Sequence, residues 1–97
     1  MILRIDIEKS GETFDYGVSQ EAEELYGDDG LESIAECLIA AVEGMPPQAV
    51  AVELWFDGVV SGTYPLSVIG MNLEQVAQHA LNTTEMIDEL MPGRRDE

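Results

Sequence analysis

Apolar residues change their period along this chain, from two to about 3.6 and then the same again, and that order restricts the fold more than any other feature. Leu3, Ile5 and Ile7 alternate with Arg4, Asp6 and Glu8, the pattern of a half-buried strand. Phe14, Tyr16 and Val18 alternate with Thr13, Asp15 and Gly17 and give a second. Leu31, Ile34, Ala35, Leu38 and Val42 then recur at helical spacing until Gly44 and Pro46-Pro47 stop them. Val50, Val52 and Leu54 start a third strand, Asp57-Gly58 marks a turn, and a fourth strand runs to Pro65, which ends it or marks an edge. Leu73, Val76, Ala77, Ala80, Ile87 and Met91 line a last helix that Pro92-Gly93 closes. The expected fold class is α+β in the order ββαββα. Two ββα units build an antiparallel-rich four-stranded sheet, with two helices packed on one face and the other face open.

Parity selects the hairpin registers, because partners across a hairpin share a face. A Ser10-Gly11 turn would set Lys9 opposite Glu12, Ile7 opposite Phe14 and Ile5 opposite Tyr16. A three-residue Phe56-Asp57-Gly58 loop would set Leu54 opposite Val60 and Val50 opposite Tyr64. A two-residue turn there would mix the faces. The segment Ser19 to Gly27 reads as a short helical turn anchored by Leu25 and Tyr26. Asp29 before Gly30-Leu31-Glu32, and Asn72 with Gln75, resemble capping boxes at the two helix starts.

Charge is distributed very unevenly. From Ser10 to Gly93, 84 residues, there is no Lys or Arg, against 16 Asp and Glu, and the net charge is −16. The hydrophobic fraction of 45% is too high for a disordered acidic tail. Residues 1–93 are therefore expected to form a single acidic domain, with 94–97 as a flexible tail. The start MILRIDIEKS lacks the apolar stretch of a signal peptide, so a cytoplasmic location is expected. The single cysteine, Cys37, excludes an intramolecular disulfide.

On the open face this register collects Asp6, Glu8, Asp15 and Glu53 beside Trp55, with Arg4, Thr13, Val59, Ser61 and Thr63. Asp6 would face Asp15, a like-charge pair that costs on the order of 0.2–1 kcal/mol. Carboxylates at i and i+2 on a strand repeat at about 6.6–6.8 Å, comparable to neighbouring phosphates on a nucleic-acid strand. Trp55 is either an exposed interface anchor or a residue covered by Val59 or by the Met45–Gln48 linker. Phe56 shares the turn. A second acidic patch comprises Glu21, Glu23, Glu24, Asp28 and Asp29. It lacks the spacing of a calcium loop and instead suits Arg or Lys side chains.

Little in the sequence points to catalysis or to a cofactor. His79 falls on a helix flank, Cys37 beside Leu38 reads as a small buried hydrophobe, and no phosphate-cradling glycine loop precedes a helix. Such a body is repelled by nucleic acid and by anionic membrane, and attracted to cationic surfaces. The expected function is non-enzymatic: binding and inhibiting a basic, nucleic-acid-binding protein partner in the manner of a DNA mimic. In size and charge the chain is comparable to small anti-CRISPR and anti-restriction proteins, an analogy of composition alone. Two alternatives fit the same charge: an immunity protein or antitoxin that neutralises a cationic nuclease, and a structural module that pairs as a homodimer.

Overall fold

A computed structural model describes residues 1–93; the expected tail at 94–97 lies outside the described residues. The element order is β1 (Ile2–Ser10), β2 (Thr13–Gln20), β3 (Glu23–Leu31), α1 (Ile34–Glu43), β4 (Ala51–Phe56), β5 (Val59–Pro65), α2 (Leu66–Met71) and α3 (Leu73–Leu90). The class is α+β. The sheet has five strands rather than four, in the order β3-β2-β1-β4-β5, and is mixed, because β1 and β4 run parallel at its centre.

The alternation in β1 and β4 carries the core. Leu3, Ile5 and Ile7 lie beside Val52, Leu54 and Phe56 and are buried with them, as is Val18 of β2. Against this layer pack Ile34, Ala35, Cys37, Leu38 and Ala41 of α1 and Val76, Ala77 and Ala80 of α3. Both long helices therefore cover one face, and the other face is left open. Burying one such aliphatic side chain stabilises the fold by about 1.5–3 kcal/mol. Thr84 is the buried polar residue of α3; its hydroxyl donates to the Phe56 carbonyl at 2.9 Å and ties the helix to the end of β4. Met91, expected on the buried stripe, is exposed beyond the end of α3. No helix among the described residues is long and apolar enough to cross a membrane.

Ser19 to Gly27 is not a helical turn. It contains a second tight hairpin, with Gln20 opposite Glu23 and both loop residues, Glu21 (φ 51°) and Ala22 (φ 73°), in the left-handed region. That turn is normally signalled by Asn-Gly or Asp-Gly, and neither is present here. Tyr26 faces Val18, and its hydroxyl donates to the Ala41 carbonyl of α1, so it anchors the edge strand. Leu25 is the extra residue of a bulge and is 43% exposed, not an anchor. The first helix starts at Ser33 rather than Asp29: the Ser33 hydroxyl accepts from the Glu36 amide at 3.1 Å. At α3, Asn72 is the N-cap residue but spends its side chain on the Val68 carbonyl of the unexpected short helix α2.

Both hairpin registers differ from expectation in instructive ways. In the first, Gly11 (φ +65°) takes the first loop position, so Ser10 pairs with Thr13 and Ile7 with Tyr16. The shift is two residues, which preserves the faces but changes every partner. In the second, Asp57 (φ 51°) and Gly58 (φ 81°) form the two-residue turn that parity argued against. A bulge at Ser61 restores parity: Trp55 pairs with Val60, whereas Leu54 pairs with Gly62 and Val52 with Tyr64. Val60 therefore joins the open face in place of Val59. Phe56 is buried under α3 rather than displayed at the turn.

Candidate functional site

The open face is ordered in rows that cross all five strands. One row is Val60, Trp55, Asp6, Gly17 and Gly27, each residue opposite the next. A neighbouring row is Thr63, Glu53, Arg4, Ser19 and Glu24. On the other side Glu8 stands opposite Asp15. The expected Asp6–Asp15 pair is thus replaced by Glu8–Asp15, and Asp6 faces a glycine.

Arg4 organises the half nearer β5. Its Nε and Nη2 donate to the two oxygens of Asp6 at 2.8 and 2.9 Å. Its guanidinium carbon sits 4.0 Å from the centre of the Trp55 ring. The Trp55 indole N–H donates to Glu53 Oε1 at 2.8 Å. Hydrogen bonding to Asp6 raises the already high pKa of Arg4, against a smaller opposing effect of burial. Trp55 is therefore half-buried beneath Arg4, with Val60 rather than Val59 opposite it.

The half nearer β3 is a shallow hollow of about 350 Å³. Gly17 lines it and faces Gly27 across β2 and β3, so that part of its floor carries no side chain of its own. Asp6, Glu8, Asp15 and Glu24 line it, and Glu24 Oε2 leans over both glycines. Glu21 borders the adjoining depression near Arg4 and Glu53. The two acidic patches read from the sequence thus partly merge. Glu21 and Glu24 reach the open face with Asp6, Glu8, Asp15 and Glu53. Glu23 stays at the hairpin end opposite Gln20. Asp28 lies opposite Tyr16 and accepts from the Asp29 amide at 2.8 Å, so neither Asp28 nor Asp29 joins the hollow. Burial, and secondarily Asp28, raises the Tyr16 pKa.

Sequence reasoning passed over Gly17, Gly27 and Ser19. The available signal was Gly17, a glycine inside an otherwise regular alternation. Elsewhere, Cys37 is fully buried and its thiol is pushed up to about 11, chiefly by burial. His79 is exposed, with Thr83 Oγ1 at 3.5 Å. Among the described residues no three His, Cys, Asp or Glu side chains converge as metal ligands would. No protein-family model, no curated protein and no solved structure matches the chain.

Proposed function

We propose that this chain is a small non-enzymatic cytoplasmic protein that uses its open sheet face to bind, and so inhibit, a basic nucleic-acid-binding protein. One observation carries the reading. The charged side chains of that face are Asp6, Glu8, Asp15, Glu21, Glu24 and Glu53, with Arg4 as the one cation among the described residues there, and Arg4 is already bound by Asp6. A face so arranged has a strong negative field and little to repel a cationic partner. Its carboxylates share the sheet face that the helices leave uncovered, with Glu8 and Glu24 exposed and Asp6, Asp15 and Glu53 half-buried. Carboxylates would speed encounter and choose the partner, while the half-buried Trp55 would supply desolvated contact area. Anti-CRISPR, anti-restriction and immunity proteins are the functional types this reading includes.

The test is displacement. The chain is titrated into purified cationic nucleases and DNA-binding domains, each holding labelled duplex. At least one should release its duplex, with an association rate that falls steeply as ionic strength rises. A variant carrying Asp6→Asn, Glu8→Gln, Asp15→Asn and Glu53→Gln should release far less. Equal displacement by the variant and the parent, or an association rate indifferent to salt, would sink the proposal.

A further inference from the structure

Gly17 is a residue the fold does not demand. Its backbone is not in the left-handed region, and a Cβ there would meet only the flexible tip of Glu24 at 3.4 Å. Gly27 differs: a Cβ there would sit 2.5 Å from the Tyr16 carbonyl. A glycine inside a strand weakens it and often marks a place where a ligand or another backbone approaches closely. Here the glycine that packing does not require lines the hollow together with Asp6, Glu8, Asp15 and Glu24, and the tip of Glu24 lies over it.

The same face already shows which group it grips well. Arg4 is held by a two-point contact from Asp6 and stacked on Trp55. A guanidinium is planar, with donors in a fixed fork, so it can lie flat on bare peptide while pairing with carboxylates at its edge. A lysine ammonium is a compact point charge and gains nothing from a flat floor. We infer that the hollow lined by Gly17 is a subsite for an arginine side chain of the protein partner. This rests on the reading of the open face as a docking surface for a basic protein and narrows it: the partner presents arginine, not merely positive charge.

Nona-arginine and nona-lysine serve as probes, because they carry equal charge. Binding is followed by calorimetry at about 150 mM salt and by amide shifts in NMR spectra. Nona-arginine should bind about fivefold more tightly than nona-lysine, with the largest shifts at Gly17 and Gly27. Gly17→Val should melt no lower than the parent, yet bind nona-arginine about fivefold less well and lose the preference over nona-lysine. Gly17→Ala provides a milder version of the same block. Equal binding of the two peptides, or unchanged nona-arginine binding by a folded Gly17→Val, overturns the subsite and leaves the broader reading standing. Failure of both peptides to bind the parent overturns both.

Discussion

The two faces of the sheet are made by the same strands and follow opposite rules. On the helix side the central strands present fully packed aliphatic or aromatic residues, Leu3, Ile5 and Ile7 beside Val52, Leu54 and Phe56. On the open side the same strands carry Arg4, Asp6, Glu8, Glu53 and Trp55, and β2 adds Asp15 and a bare Gly17. The inner face is determined by what it must exclude, which is water. The outer face contains a like-charge pair and a mid-strand glycine that stability alone does not favour. The difference teaches that burial accounts for the residues of one face and leaves those of the other to be explained.

The contrast is broken first by substituting inside it. Leu54→Ala removes a fully buried side chain of the core and should lower the unfolding free energy by about 2–5 kcal/mol in urea titrations. A loss well under about 1 kcal/mol would mean the inner face is not the packed layer described. Alkaline pH probes the same face through Cys37. Its thiol is raised from 9.0 to about 11 in the fold, so the folded state favours the protonated form. Its contribution to stability is intact below pH 9 and is lost as pH rises toward about 11. The urea midpoint should fall across that window, and Cys37→Ala should make the fall shallower. The smallest effect lies outside and has the opposite sign. Glu8→Gln removes the repulsion from Asp15 opposite it and should stabilise by about 0.2–1 kcal/mol at low salt, a gain that added NaCl should erase.

The sequence made the two-faced strands legible because one face had to be buried, and period two survives any register shift of two. It did not make β3 legible. An edge strand needs few inward anchors, and Tyr26 and Leu31 provide them, among glutamates, aspartates and glycines that resemble a loop. The turn before it uses Glu21 and Ala22, residues that give no turn signal. The Ser61 bulge was equally hidden, since a bulge is a compromise between turn geometry and packing that neither reveals alone. The acidic side chains of the open face followed from parity, so Asp6, Glu8, Asp15 and Glu53 were found together with Trp55. The hollow was not found, because it depends on Gly17 meeting Gly27, and that meeting needs a strand the sequence conceals.

The parallel pairing of β1 with β4 joins residues 49 apart, Leu3 with Val52 for example. During synthesis the first three strands can therefore zip up while one flank of β1 remains unsatisfied, its apolar side chains uncovered until Phe56 has cleared the ribosome. Such distant, parallel closure is intrinsically slow. The heavy negative charge of the emerging meander makes nascent chains repel one another during the interval in which an open strand flank could otherwise pair with its copy on a neighbouring ribosome.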